Sequence, residues 1–119
     1  MRTMDMDALT SRVVATALDG LAARAEATAA NIANAGTRGY RAVRVDFETE
    51  LRTAAGRGAA AVAAVRPQTH WADVSAYGDE PRLDLELATA AQTSLRFAAL
   101  IDVLGRETAL MRTAITGGR

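Results

Sequence analysis

Two long stretches of this chain repeat apolar or small residues every three or four positions, which is the spacing of one face of an α-helix. The first stretch covers 5–34, and its predicted stripe is Val14, Leu18, Leu21, Ala25, Thr28 and Ile32. The second covers 84–116, and its predicted stripe is Leu87, Ala90, Ser94, Phe97, Ile101, Leu104, Thr108, Met111 and Ile115. Alternating steps of three and four are typical of helices that pair along a seam. We therefore expect a mainly α fold, in which two terminal helices of about 45 to 50 Å pair as an elongated, coiled-coil-like hairpin.

Turn-forming residues mark the ends of both predicted helices. Gly36 is expected in the left-handed conformation just beyond the first helix. Pro81 and Asp84 mark the start of the second helix, and Gly117-Gly118 marks its end. The face of the first helix opposite its stripe is charged and is predicted to be partly solvated; its residues are Arg12, Asp19, Arg24 and Glu26.

The middle of the chain is poorly patterned. Residues 40–47 alternate in part between apolar and polar, which permits a short extended or β-like segment. Residues 53–65 show no sustained period and are predicted to form a linker or a locally ordered surface arm. Residues 70–81 carry turn residues and two aromatic residues that we expect to be exposed, Trp71 and Tyr77.

Length and composition favour one elongated domain. A chain of 119 residues has room for one modest core. Half of the residues are hydrophobic, but many of these are alanine, which favours helix and buries little area. We expect an N-terminal helix and turn at 1–40, a variable middle segment at 41–82 and a C-terminal helix at 83–119. Such a chain is expected to complete its burial against neighbouring subunits.

Charge and cysteine content exclude several function classes. The 14 basic and 14 acidic residues cancel and are spread along the chain, which argues against a nucleic-acid-binding surface. Without cysteine, the fold has no disulfides and no thiolate metal ligands. Acidic residues interrupt the N-terminus where a secretory signal needs apolar residues, and no run of apolar residues approaches membrane-spanning length. Neither a cleaved signal nor a membrane span is predicted.

Few residues offer candidate chemistry. His70 is the only histidine, and no compact carboxylate cluster accompanies it in the sequence. Asp46, Glu48 and Glu50 alternate and are predicted to form a solvated strand face, since nothing nearby offers a nucleophile. The Gly-Arg-Gly at 56–58 lacks the flanking strand and helix of a nucleotide-binding loop. We expect no enzyme activity, no cofactor, no metal and no small-molecule substrate.

The end of the first helix is the most specific stretch of the sequence. Asn31 and Asn34 can bond free carbonyls or adopt left-handed backbone, and Gly36 and Gly39 can adopt conformations that a Cβ would forbid. The residues themselves favour a structural turn, with contact to a partner as the alternative. Tyr40 can anchor in a neighbouring subunit or cover the helix end.

The run Asn-Ile-Ala-Asn-Ala-Gly-Thr-Arg-Gly-Tyr at 31–40 resembles the N-terminal signature of bacterial flagellar rod and hook proteins, N-I-A-N-x-x-T-P-G-Y. Segments 41–48 and 109–118 also resemble the proximal rod member of this family, as does the short length. Residues 51–80 have no such support. Arg38 stands where the family usually has proline, so this turn lacks one restriction on φ.

The resemblance implies a structural subunit of the proximal rod in the flagellar basal body. Such subunits assemble helically, transmit torque from motor to hook, and are exported by the flagellar type III apparatus without a cleaved signal. The implied partners are other rod subunits, the basal-body export and ring components, and further copies of the chain. The residues expected to carry assembly or the signature are Asn31, Ile32, Asn34, Gly36, Thr37, Gly39, Tyr40, Phe47, Phe97, Ile101, Leu104, Met111 and Ile115.

Three other hypotheses remain at the level of the sequence. A soluble helical-hairpin adaptor or export chaperone would hold a partner in a groove between its helices. A small enzyme would have to use Asp46, Glu48 and His70. A nucleic-acid-binding protein ranks last, because the charges are dispersed.

Overall fold

The computed structural model describes residues 2–73, 78 and 80–117, with side chains from residue 8 onward. Two long antiparallel helices pack against each other, and the short middle segment of the chain packs against the first of them. The elements are α1 (Arg2–Ala33), β1 (Val43–Asp46), α2 (Glu48–Ala55), α3 (Ala59–Ala63), β2 (Gln68–Trp71) and α4 (Leu83–Gly117). The molecule measures 64 × 25 × 16 Å. The predicted fold class is confirmed: a mainly helical, elongated hairpin with a small β segment in its middle. Each predicted helix end lies within three residues of the observed one.

The hydrophobic core lies between α1 and the middle segment. Its buried residues come from α1, β1, α2 and the chain around α3, and they are Leu21, Val45, Phe47, Leu51, Ala54, Val62 and Val65. Helix α4 packs on another side of α1 and contributes Leu100 at the edge of this core. Helix α1 is therefore the central element, with the core on one side and α4 on the other.

The prediction of a linker at 53–65 is wrong. These residues complete α2 and form α3, and Val62 in α3 is fully buried. Val65, just after α3, is buried as well. Each short helix buries only one or two residues, so the stretch contains too few turns for a helical period to be visible in the sequence.

Strands β1 and β2 form a two-stranded antiparallel sheet, with α2 and α3 in the connection between them, which confirms the predicted extended segment. Val43 pairs with Trp71 and Asp46 pairs with Gln68. Every side chain of β2 is exposed, and 59% of the surface of Trp71 is accessible. Tyr77, the other aromatic residue expected to be exposed, lies outside the described residues.

The predicted carboxylate face is not a strand face. Only Asp46 belongs to a strand, whereas Glu48 and Glu50 lie in the first turn of α2. Acidic residues are favourable at that place because of the helix dipole. The alternation in the sequence therefore came from a strand that runs directly into a helix.

The seam of α1 follows the predicted stripe. Val14, Leu21 and Thr28, spaced by seven residues, are all buried. Leu18 and Ile32 are half-buried beside them, and only Ala25 is exposed.

The seam of α4 lies one residue away from the predicted stripe. The side chains of α4 that face α1 and the core are spaced by seven residues; they are Glu86, Thr93, Leu100 and Glu107. The predicted stripe instead used the residues directly after the first three of these, Leu87, Ser94 and Ile101, and all three are exposed. One position is a rotation of about 100° on a helix. The apolar pattern predicted the wrong face of α4 as the seam, because two of the buried residues are polar and large apolar residues lie on the exposed sides of the helix.

Candidate functional site

Asn31 is the centre of a buried polar network at the end of α1. Its side chain is fully buried. The side-chain Oδ1 accepts a hydrogen bond from the backbone N–H of Val43 at 3.0 Å, and Nδ2 donates to the carbonyl of Val43 at 2.9 Å. The carboxamide thus pairs with β1 as the backbone of a neighbouring strand would. It joins the end of α1 to the first residue of β1.

The same carboxamide also reaches α4. Asn31 Nδ2 donates to Glu86 Oε2 at 3.0 Å. Glu86 is fully buried, and Arg44 Nη1 of β1 lies 2.7 Å from its Oε1 as an ion pair. A buried carboxylate is tolerated when it has a cation and hydrogen-bond donors beside it. This network, formed by Asn31, Val43, Arg44 and Glu86, connects three elements of the fold.

Sequence reasoning assigned Asn31 to the turn and missed Glu86 and Arg44 altogether. Asn31 still lies within α1, two residues before its end at Ala33. One signal was available: Glu86 is an acid between Leu85 and Leu87, seven residues before Thr93 in the true seam of α4.

Asn34 forms the cap of α1. Its Nδ2 donates to the carbonyl of Ala30 at 2.9 Å, as expected for an asparagine that bonds a free carbonyl. Its Oδ1 accepts from the Thr37 hydroxyl at 3.2 Å, and its carbonyl accepts from the Thr37 backbone N–H at 3.0 Å. Thr37 therefore closes the turn after the helix.

The left-handed glycine of this turn is Gly39 and not Gly36. Gly39 has a φ of 82°, which other residues rarely adopt. Gly36 does not have positive φ, and a Cβ at that position would meet no atom within 4 Å. The expectation for Gly36 is wrong because the Asn34–Thr37 bonds end the helix before a left-handed residue is needed.

Tyr40 covers the end of α1, one of the two roles considered for it. The half-buried phenol donates a hydrogen bond to Asn31 Oδ1 at 3.4 Å. Ile32, from the same signature, is half-buried in a groove between α1 and α4. The signature residues therefore split into buried ones that hold the fold and exposed ones in the turn.

Phe47 is a core residue that requires a glycine opposite it. A Cβ built on Gly20 would overlap the Phe47 ring. The guanidinium of Arg24 lies 5.0 Å from the ring centroid, within the range of a cation–π contact. Phe47 therefore contributes to the fold of the subunit, and it also lines the second apolar groove described below.

Arg24 is the half-buried member of the face that was predicted to be partly solvated, whereas Arg12, Asp19 and Glu26 are exposed. The two terminal nitrogens of Arg24 bond the two carboxylate oxygens of Glu48 at 2.8 and 2.6 Å, and Nη2 also donates to the carbonyl of Val45 at 2.7 Å. The hydrogen bond from Arg24 lowers the pKa of Glu48 below its ordinary value. This bidentate pair fastens α2 to α1.

His70 lies in the exposed strand β2. Its Nε2 is 2.6 Å from Asp46 Oδ2 and its Nδ1 is 3.0 Å from the carbonyl of Trp71. The Trp71 carbonyl, and after it the Asp46 carboxylate, raise the pKa of His70. In the described part of the chain, no group of three or more histidine or acidic residues is arranged to hold a metal ion.

Helix α4 exposes apolar residues and buries polar ones. Glu86 and Thr93 are its buried residues, whereas large apolar residues are exposed along its whole length; they are Leu83, Leu85, Leu87, Leu95, Phe97, Ile101, Val103, Leu110, Met111 and Ile115. Four predicted assembly residues belong to this exposed set: Phe97, Ile101, Met111 and Ile115. The fifth, Leu104, is half-buried. Most of α4 therefore has no apolar partner within the described chain.

No apolar run of membrane-spanning length was expected from the sequence, but by length and composition alone α4 is such a helix. Among the described residues, this one helix has the length and the apolar composition needed to cross a membrane. Only 6% of its most apolar window is buried inside the molecule. The same property makes α4 a candidate surface for docking on another protein.

Two apolar grooves lie on either side of the contact between α1 and α4. The first groove, of about 490 Å³, is lined only by uncharged residues, including Ala22, Ala25 and Ala29 of α1 and Phe97 of α4. The second groove, of about 430 Å³, lies beside α2 and includes the charged residues Glu48, Arg52 and Arg96 in its lining. These grooves and the exposed face of α4 are the candidate functional surface.

Comparison with protein-family models and with curated proteins gives no match.

Proposed function

We propose that this chain is a structural subunit of the bacterial flagellar basal body, in the proximal rod, where it assembles helically with other rod subunits. The rod assignment comes from the signature at 31–40. A structural role is supported by one observation above all: α4 buries Glu86 and Thr93 and leaves most of its leucines, both isoleucines and its phenylalanine at the surface.

The exposed face of α4 supplies the driving force for assembly. Burying one large aliphatic side chain is worth about 1.5 to 3 kcal/mol relative to leaving it in water. Leu95, Leu110 and Ile115 are each at least 70% exposed, so most of this free energy is not used inside the subunit. Contacts with neighbouring subunits would use it. Large contiguous apolar patches on soluble chains are typical of such interfaces.

A helical-hairpin adaptor or export chaperone is the second candidate, and the two grooves favour it. An amphipathic helix from a partner binds in grooves of this kind. A closed dimer that takes up one partner helix and does not polymerise would support the adaptor and contradict the rod subunit.

Insertion of α4 in a membrane explains the exposed apolar residues less well. Arg96 of α4 lies 3.7 Å from Glu48, and Glu86 is buried against Asn31 and Arg44. Moving α4 into a bilayer would break these contacts and would place charged residues in hydrocarbon, at a cost of several kcal/mol.

Deletion of the gene in its host tests the proposal. Hook–basal bodies are extracted with detergent and examined by electron microscopy, with a complemented strain as the control. We expect rings without rods or hooks in the deletion, and normal structures after complementation. Normal basal bodies in the deletion would contradict the rod assignment and leave the adaptor as the leading hypothesis.

A further inference from the structure

The two sides of the helical hairpin differ in charge as well as in shape. On the first side, the groove floor of small residues is bordered by one exposed acid, Glu26. Glu26 follows Ala22 by four positions and precedes Ala29 by three, so it lies beside the groove on the helix surface. Within the described part of the chain, Glu26 makes no ion pair. The first groove is therefore uncharged, with one acid at its border.

The second side carries an apolar ridge on α4, with Arg96 beside it. Leu85, Val103 and Leu110 lie on one face of α4. Val103 follows Leu85 by 18 residues, which is five helical turns, and Leu110 follows Val103 by seven residues, which is close to two turns. All three are exposed. Arg96 precedes Val103 by seven positions on nearly the same face. Its one ion-pair contact in the described chain is the distant one with Glu48, whose carboxylate is already held by both terminal nitrogens of Arg24.

We propose that the α4 ridge of one copy docks in the first groove of a second copy, with Arg96 of the ridge facing Glu26 at the groove border. An uncharged centre with charges at its border is the usual arrangement of a protein interface. This inference specifies the self-association within the proposed function and rests on it.

The contact joins two different surfaces, so it does not close on itself. After docking, the first copy still has an empty groove and the second still has a free ridge. Such a head-to-tail contact adds copies without limit, unless the rotation closes a ring. A dimer in which both copies use the same surface would instead stop at two.

Cysteine cross-linking tests this directly, because the chain has no cysteine of its own. Ala25→Cys marks the groove beside Glu26, and Ala99→Cys marks the ridge one turn after Arg96. Thr93 lines the first groove with Ala25, whereas Ala99 lies six residues further along α4 and lines the second groove, so the two positions are at least about 9 Å apart within one chain. That distance is too long for an internal disulfide. We expect mixed single variants to form the heterologous disulfide, each variant alone to form little, and the double variant to form a ladder of oligomers.

Charge reversal provides the matched control. Glu26→Arg on the groove copy, or Arg96→Glu on the ridge copy, is expected to lower the yield of the mixed disulfide by about threefold, within the range for an exposed ion pair. The two reversals together are expected to restore the yield. Glu50→Arg, an exposed acid that lines neither groove, is expected to leave it unchanged.

Two outcomes would overturn the inference. Homodimers of Ala25→Cys or of Ala99→Cys would show a contact of like surfaces, and an absence of the mixed disulfide would show that these surfaces do not meet. Neither outcome decides the rod assignment, because rod loss in the deletion strain is measured separately. If rods vanish and no mixed disulfide forms, the proposed function stands and this pairing of surfaces is wrong.

Discussion

Asn31 Nδ2 lies 3.0 Å from Glu86 Oε2, and both side chains are fully excluded from solvent although 55 positions separate them. With Arg44 on the other carboxylate oxygen, this contact joins α1, β1 and α4. Sliding α4 along α1 by one turn would leave a buried charge without partners, which is costly. We infer that the Asn31–Glu86 contact sets the register of the two long helices, which the apolar residues of α4 leave poorly specified.

Asn31→Ala is expected to lower the free energy of unfolding by about 3 kcal/mol, because it leaves the buried Glu86 carboxylate and the backbone of Val43 without their hydrogen bonds. Urea unfolding followed by circular dichroism measures this. Asn34→Ala is the control: it removes exposed bonds at the helix end and should cost about 1 kcal/mol or less. Equal losses for both variants would show that Asn31 is only a turn residue.

Gly20→Ala and Gly105→Ala should change stability in opposite directions. Both glycines lie inside long helices, where alanine is favoured by up to about 1 kcal/mol. At Gly105 a Cβ would meet nothing within 4 Å, so we expect a gain in thermal stability. At Gly20 it would overlap the Phe47 ring, and we expect a net loss of about 1 to 3 kcal/mol. A stabilising Gly20→Ala would show that the ring can move aside without cost.

Ile101→Asp and Leu104→Asp separate assembly from folding. Ile101 is 47% exposed, so its aspartate should leave the melting temperature of the isolated subunit nearly unchanged and still prevent incorporation into rods. Leu104 is half-buried, and its aspartate should lower stability as well as assembly. The measurements are thermal unfolding of the purified subunit and electron microscopy of basal bodies. Normal rods containing the Ile101→Asp subunit would place the assembly surface elsewhere.

Acid should weaken the Arg24–Glu48 contact. Arg24 lowers the pKa of Glu48 below its ordinary value of 4.5, so the stabilisation is present above pH 4.5 and is lost as the pH falls through the lowered pKa. The difference in unfolding free energy between the unmodified chain and Glu48→Gln should therefore shrink in acid. His70, with its raised pKa, contributes in the opposite sense, since its stabilisation is lost as the pH rises. Both chains contain His70, so its effect cancels. A difference that is constant with pH would contradict the pair.

The isolated subunit is expected to be only partly ordered at its ends and to complete its folding on assembly. All side chains from 108 to 117 are exposed, so few contacts oppose local opening there. The central turns of α1, from Val14 to Thr28, pack on the core. Hydrogen exchange in a dilute monomer should show rapid exchange at the end of α4 and slow exchange in these central turns. Equal protection along both helices would contradict coupled folding and assembly.

Local patterns were sufficient for the helices but insufficient for the middle segment. The stripe through Val14, Leu21 and Thr28 predicted the buried face of α1, because a long helix repeats its environment over many turns. The segment around Val62 was predicted to be a linker, since one buried residue in a five-residue helix produces no repeat.

The candidate surface was predicted in part. The stripe containing Phe97, Ile101, Met111 and Ile115 was expected to pack either within the subunit or between subunits, and the structure exposes these residues. The seam itself was assigned one position too far along α4. A search for apolar residues could not find a seam in which Glu86 and Thr93 are the buried members.

The sequence alone determined that two long helices lie at the ends of this chain, because helical periodicity and turn residues act over neighbouring positions. It also contained the signature at 31–40 on which the rod proposal rests. Only the tertiary structure decided which side of α4 faces α1. That choice depends on Asn31 and Arg44 meeting the carboxylate of Glu86, a contact between residues far apart in the chain. With Glu86 and Thr93 on the buried side, most of the large apolar residues of α4 face outward.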